Sequence, residues 1–365
     1  MNQSMSITPL HKLAPGRFDT APILKRLNIA SRNLAELKGV AATIPNQNIL
    51  INTLTLQEAR DSSAIENIVT TQDDLYREDD PATATGMAIK EVLRYRQALQ
   101  TGSEHVRETG LLTLNTILAI QQQLECNQAG LRRLPGTALR DSEGRLVYEP
   151  PQDGNEVARL MHELERFIHD EPSFQVDPLV KMALIHHQFE SIHPFYDGNG
   201  RTGRIVNVLY LVKEGLLEIP VLYLSRHIVR TKPDYYRLLQ AVRETDAWEE
   251  WVLYMLGAVA STARETIDTT LAIKDLLQRT KQRVRENYKF YSQDLINNLF
   301  NHPYTRVEFA QRELGVSRVT ATKYLDTLAG DGVLDKVRVG RNNYYVNRPL
   351  FALLSRHDTN PRPGA

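Results

Sequence analysis

The chain has 365 residues, enough for two or three domains around a sizeable core, and its 44 basic and 44 acidic side chains exclude a global field that recruits nucleic acid or anionic membrane. Its single cysteine, Cys126, excludes an intramolecular disulfide framework, reads as a small buried hydrophobe and agrees with a reducing cytosol. The opening residues lack the pattern of a signal peptide, and the longest apolar run, Trp251 to Ala260, is about half of a bilayer crossing, so a soluble cytoplasmic protein without a membrane partner is expected.

Ala21 to Val40 carries Ile23, Leu24, Leu27, Leu34 and Leu37 as an apolar stripe and reads as a helix. Pro45 ends that segment, and Ile49 to Arg60 restarts a helical pattern. In Asp61 to Thr70, DSSAIENIVT, Ser63 and Glu66 have the spacing of a capping box that starts a short helix toward Ile68 and Val69. Ala82 to Leu99 and Leu111 to Leu124 are further amphipathic helices, with Gly102 to Gly110 as a polar connection. The period then changes: Thr137 to Glu149 alternates around Ser142-Glu143-Gly144 and predicts a short hairpin closed by Pro150 and Pro151. Asn155 to His169 and Pro178 to Phe189 are helical again. His186, His187 and the pair His169-Asp170 raise a metal-dependent phosphohydrolase, but nothing places a second histidine and a distant aspartate in register.

The densest chemistry lies in Ser191 to Arg204, SIHPFYDGNGRTGR. Gly198-Asn199-Gly200 permits positive φ angles that turn successive N–H groups into one concavity, and the apolar run Ile205, Val208, Leu209, Val212 places that turn at a helix N-terminus. This is a phosphate cradle. Arg201 and Arg204, three apart, share a helix face where planar guanidinium groups can hold phosphate oxygens. Asp197 beside phosphates suggests Mg²⁺, and His193 is the group able to take a proton near neutral pH.

HPFYDGNGRTGR matches the Fic (Fido) family signature HPFx(D/E)GNGRxxR at every defined position, and the chain resembles a protein adenylyltransferase of that family. Ser62 to Asn67, SSAIEN, is similar to the family's inhibitory motif (S/T)xxxE(G/N), on the expected N-terminal side. The resemblance implies transfer of AMP from ATP to a protein hydroxyl. In it His193 is the base, Asp197 holds Mg²⁺, Gly198, Asn199, Gly200, Thr202 and Gly203 belong to the ATP site, Arg201 steadies the β-phosphate and Arg204 the γ-phosphate. Phe195 anchors the loop from behind. Glu66, with Ser62 and Asn67, would hold Arg204 away from the nucleotide. The hairpin 137–149 resembles a flap that pairs with a target's backbone, and self-modification and a homodimer are expected partners of the same reading. Tyr235, in the Pro233 to Val242 segment, resembles a ring of the adenine pocket, and Asn207 lies one turn past Arg204.

After Leu222 to Arg226 and Pro233 to Val242, Trp248 to Glu286 is strongly helical and reads as a closing helix that becomes a connector. Arg306 to Leu314, the turn Gly315-Val316-Ser317 and Val319 to Leu328 form a helix-turn-helix pattern with Ser317 as N-cap. Val333 to Val339 and Asn343 to Val346 around Gly340-Arg341-Asn342 add a wing. Arg318, Thr320, Thr322, Lys323 and Arg341 are the residues through which this unit would meet DNA, against which stand Asp326, Asp331 and Asp335 and the use of the same fold for protein contacts.

The expected fold is mainly α: an N-terminal helical region over 1–110 with the inhibitory motif at 62–67, a Fic core with a hairpin flap over 111–257, a connector over 258–300, a winged helix over 301–355 and a tail over 356–365. Competing functions are removal of AMP, other nucleotidyl or phosphoryl transfers on the same fold, and a nucleotide-sensing transcriptional regulator.

Overall fold

Two consecutive helices buried on every side form the axis of the molecule. The computed structural model describes residues 7–78, 81–82, 84–141, 143–169 and 174–355; residues 1–6, Ser142, Asp170 and the tail 356–365 lie outside them. The N-terminal helices are α1 (Ala21–Ala42), α2 (Asn48–Ile65), α3 (Gln72–Arg77), α4 (Met87–Thr109) and α5 (Leu114–Glu125). A hairpin, β1 (Leu139–Arg140) and β2 (Leu146–Tyr148), precedes α6 (Gly154–His169), α7 (Pro178–Ile192), α8 (Asn199–Lys213), α9 (Leu224–Arg230), α10 (Lys232–Thr245) and α11 (Trp248–Asn287). The C-terminal unit is α12 (Gln293–Asn301), β3 (Tyr304–Thr305), α13 (Val307–Leu314), α14 (Arg318–Gly330), β4 (Asp335–Val339), β5 (Asn342–Val346) and α15 (Arg348–Ser355).

Asp177 caps α7 through Leu179 N–H, and Pro178 occupies its first turn, where a missing N–H costs nothing. From Leu179 to Ile192 every α7 residue is buried. α8 is buried almost throughout, so the two helices are enclosed rather than amphipathic. At ~1.5–3 kcal/mol for each fully buried Leu, Ile or Phe, this pair anchors the loop between them. α1, capped by Thr20, lays Ile23, Ala30, Leu34 and Leu37 against α11. α11 is 40 residues long, ~60 Å at 1.5 Å per residue. Its first half joins the main core, and Ile273, Leu277 and Val284 join a second core with α12, α14 and α15.

The C-terminal sheet has the order β3-β5-β4, antiparallel, with Tyr304 opposite Val346 and Val337 opposite Tyr344. Gly340 at φ 58° and Arg341 turn β4 into β5. Ser317 caps α14 through Thr320 N–H, as its position predicts. This order and sheet are compatible with a winged helix.

Three expectations change. The stretch 102–110 is no connection, because α4 runs through it to Gly110. A Cβ on Gly102 would lie 2.7 Å from Leu209 Cδ1 and 3.1 Å from Ile120 Cδ1, so this glycine is there for close packing. Ser63 and Glu66 do not open a helix: Ser63 lies in the last turn of α2 and Glu66 is its C-cap. Cys126 is exposed, at φ 52° just past α5. No described helix is long and apolar enough to cross a membrane.

Candidate active site

α7 stops at His193, whose left-handed backbone (φ 49°) turns the chain and whose N–H returns to Phe189 O at 2.9 Å. A helix end leaves orphan carbonyls, which a buried end must satisfy from elsewhere. Arg243 Nη2 donates to Glu190 O (3.2 Å), Tyr148 OH to Ser191 O (2.9 Å), Arg132 Nη2 to Ile192 O (3.1 Å) and Arg132 Nε to His193 O (2.8 Å). Side chains from the segment after α5, from β2 and from α10 therefore fix where the His193 backbone lies. The loop is tied internally as well. Asn199 Oδ1 accepts from Phe195 N–H and its Nδ2 donates to Phe195 O, both at 2.8 Å, while the Phe195 ring is fully buried. Of Gly198, Asn199 and Gly200 only Gly198 uses a positive φ (78°); Asn199 and Gly200 already belong to the first turn of α8. The amides of Asn199, Gly200 and Arg201 precede the helix's first return bond, from Thr202 N–H to Gly198 O, and form its positive end.

This loop floors a cavity of about 400 Å³ walled by Glu66, Ile68, Glu91, Leu139, His193, Tyr196, Asp197, Gly198, Asn199, Gly200 and Arg201. The Nδ1 of His193 is buried, which leaves Nε2 as the nitrogen open to the cavity. Burial, then the charges of Arg132 and Arg243, lower its pKa to about 4, so it stands neutral with a lone pair at physiological pH. Asp197 is exposed, with Oδ1 accepting from Gly198 N–H at 2.7 Å.

Arg204 points from α8 to the end of α2. Its Nε donates to Ser62 Oγ (2.8 Å), and its Nη2 to Ser62 O (3.0 Å) and Glu66 Oε1 (2.8 Å). Burial pushes the Glu66 carboxyl upward, but the charge and hydrogen bond of Arg204 outweigh it, with Arg201 and Lys232 behind them, and hold it below its ordinary value. Asn67 follows at φ 63°, a left-handed position that Gly and Asn tolerate best. Lys232 Nζ clamps that turn by donating to Ile65 O at 2.6 Å. Gly200 makes room for the pair: a Cβ there would lie 2.3 Å from Glu66 Oε1.

Models of the Fic/DOC family N-terminal region, the Fic/DOC family itself and the C-terminal domain of SoFic-like protein adenylyltransferases match residues 24–104, 111–211 and 276–350. The chain belongs to the Fic family. Curated relatives named protein adenylyltransferase Fic include those of Drosophila yakuba, 31% identical over 133 residues (36% of this chain, 24% of the relative), and Aedes aegypti, 27% over 141 residues (39% and 26%). The chain thus spans about a quarter of the length of those relatives. In fold it is similar to a Fic family protein from Desulfovibrio desulfuricans, with a TM-score of 0.58 at 22% identity over 90% of this chain and 96% of the other. It is also similar to Fic-1 from C. elegans, at 0.53 and 19% over 70% and 74%.

Not every residue of the Fic signature faces the cavity. Thr202 is fully buried, and Gly203 packs backward, where a Cβ would meet Glu190 and Phe189 at 2.8 and 2.9 Å. Tyr235 does not reach the cavity either: it is buried, with its hydroxyl 2.9 Å from His186 Nε2 and its ring among Trp251 and Tyr254. The neighbouring Tyr236 is the exposed one of the two. Asn207 is fully buried. His186 and His187 are core histidines held by Tyr235 and Leu239 O, and no group of three or more metal-ligating side chains occurs among the described residues. In the C-terminal unit, Arg318 pairs with Glu308 and Lys336 with Asp326. Sequence reasoning missed Arg132, Tyr148 and Arg243, and also Glu91 and Glu125, which pair with Arg201 at 2.9 and 2.8 Å.

Proposed function

We propose that the chain transfers AMP from ATP to a Ser, Thr or Tyr hydroxyl of a protein, and that Glu66 restrains it. The observation that carries this reading is one cavity lined by a neutral His193, the amide end of α8, Asp197 and Glu66, the last holding the buried Arg204 behind it. The α8 amides and Gly198 receive phosphate oxygens, and Arg204 takes the terminal phosphate once Glu66 withdraws. His193 Nε2 removes the proton from the incoming hydroxyl, whose oxygen bonds to the α-phosphorus. The bond from that phosphorus to the bridging oxygen breaks, and diphosphate leaves with the electron pair. His193 then returns its proton to water. Asp197 offers a single exposed carboxylate, which suits Mg²⁺ bound jointly by protein and phosphates better than a cage of protein ligands. Bound there, the ion supplies charge balance for the leaving diphosphate.

The hairpin lies beside the cavity, with Leu139 in its wall, and Leu146 and Val147 stay exposed. These features support target docking on 137–149 by strand addition. The test is label transfer from α-labelled ATP with Mg²⁺, read as self-modification, in wild type, Glu66→Gly, His193→Ala and the double variant. Labelling raised by the first substitution and abolished by the second is expected. Labelling of the Glu66→Gly/His193→Ala double variant as strong as that of Glu66→Gly alone defeats the proposal.

A further inference from the structure

The first signature arginine, which lines the cavity, is held by two carboxylates from other helices. Arg201 is buried, its Nη1 held by Glu91 of α4 and its Nη2 by Glu125 of α5, while its Nε is buried without a partner. Two helices other than its own thus dictate where the guanidinium lies. Glu125 also backs the glycine turn: a Cβ on Gly198 would lie 2.4 Å from its Oε1. Three carboxylates, Glu66, Glu91 and Asp197, line the cavity with Arg201, and just behind the lining Glu125 pairs with Arg201 and Arg204 with Glu66. A metal-free triphosphate would bring several more negative charges to a site whose arginines are both balanced, and at these separations such repulsion weighs heavily.

We propose that Glu91 and Glu125 position Arg201 with its charge already neutralised, so that the site admits a triphosphate only as its divalent-cation complex. This rests on the reading of the cavity as an ATP site. The pair sets both the orientation of one phosphate-facing group and the form of nucleotide accepted. The test is calorimetric binding of ATP, with Mg²⁺ or with EDTA, to wild type, Glu91→Gln, Glu125→Gln and the double variant. Glutamine keeps the shape and an acceptor, and Glu91, the more open of the two, gives the milder variant. Expected is weak metal-free binding to wild type, tightened about tenfold by the double substitution, with the Mg²⁺ complex changing less than about threefold. Metal-free ATP binding wild type as tightly as the Mg²⁺ complex, or no tightening in any variant, overturns the inference. If neither form binds any variant or Glu66→Gly, the ATP reading itself falls, and this inference with it.

A second observation is independent of the nucleotide. One carbonyl of the C-terminal helix, Leu354 O in α15, accepts from Gln57 Nε2 (2.7 Å) and Gln72 Nε2 (3.2 Å), which bracket the segment 62–67. Tyr304 is hydrogen-bonded to Asp73, and the Tyr76 and Phe351 rings meet edge to face at 6.1 Å. Leu50 and Leu54 of α2 share a core with Leu299 and Leu350. The geometry points to the C-terminal unit as the clamp that holds α2 and α3, and through them Glu66, in place. In hydrogen exchange on the full chain, Gln72→Ala and Phe351→Ala are expected to speed amide exchange over 62–70 at least about fivefold while α7 and α8 stay unchanged. Unchanged exchange over 62–70 in both variants overturns the clamp.

Discussion

Truncating Glu66 to alanine tests the restraint through stability as well as rate. The backbone at 66 (φ −88°, ψ 16°) accepts alanine, so the change is confined to the carboxylate. Arg204, 1% exposed, would keep only two neutral acceptors close by, Ser62 Oγ and Ser62 O. Removing one partner of a buried pair costs about 3–5 kcal/mol. Here the Glu66 side chain is 36% exposed, so water screens the pair and an expectation of about 1–3 kcal/mol is appropriate. At roughly 2–4 °C per kcal/mol, the nucleotide-free variant should melt several degrees below wild type. The unpaired guanidinium then gains more from a terminal phosphate, so saturating Mg²⁺–ATP should raise the variant's melting temperature further than it raises the wild type's. Scanning calorimetry with and without nucleotide reads both effects, alongside incorporation of labelled AMP, expected to rise tenfold or more. An Ala variant that melts no lower than wild type, with the same nucleotide shift, would refute the argument that Glu66 is what holds Arg204.

His193, with a pKa near 4, should give labelling rates with no inflection near pH 6.5; an acid limb centred there would show that the imidazole is solvated. Stability has its own profile. His186, near 3, His187, well below its ordinary value, and His193 are all depressed, so the unfolded chain binds more protons as pH falls from about 6.5 toward 4, and stability is lost. Glu58 and Glu190, raised to about 7 chiefly by burial, act in the opposite sense and add stability as pH falls from 7 toward 4.5. Unfolding free energy, read by denaturant titration, should therefore be flat between about pH 6.5 and 7.5 and decline below about pH 6, by roughly 1 kcal/mol per pH unit. Asn199→Asp replaces the Nδ2 donor to Phe195 O with a carboxylate oxygen facing a carbonyl; a loss of about 1–3 kcal/mol and faster proteolysis at the loop are expected. Arg132→Ala strips two carbonyl caps beside His193 and should cost about 2–4 kcal/mol and about a hundredfold in rate, measured by melting and by label transfer.

What was legible before the structure follows from how far apart interacting residues lie in the chain. His193, Asp197, Gly198 and Asn199 act within one loop, so their spacing already states their geometry, and the Asn199–Phe195 tie spans four residues. Glu91, Glu125, Arg132, Tyr148 and Arg243 reach the same loop across 43 to 110 positions. Among 44 basic and 44 acidic side chains nothing local marks them. Tyr235 and Tyr236 show a different limit. Adjacent helical residues differ by ~100° in direction, so helix phase alone sends one hydroxyl to His186 and leaves the other ring exposed. Gly102 reads as a breaker on propensity, yet α4 runs through it, and the glycine is there because Leu209 and Ile120 leave no room for a side chain.

The capping-box spacing of Ser63 and Glu66 is ambiguous for a related reason, since three residues separate neighbours at a helix end as well as at its start. Asn67 decides between the two. A residue that tolerates φ 63° after Glu66 stops α2 there, and Lys232 takes up the freed Ile65 carbonyl. That stop gives the motif its physical content. Ser62 and Glu66, four apart at the end of α2, share one face, and both reach the single guanidinium of Arg204, while the left-handed Asn67 turns the chain away immediately after them. A residue that kept residue 67 helical would carry the chain beyond the point where Glu66 can cap it. The small motif is thus a helix terminus aimed at an arginine.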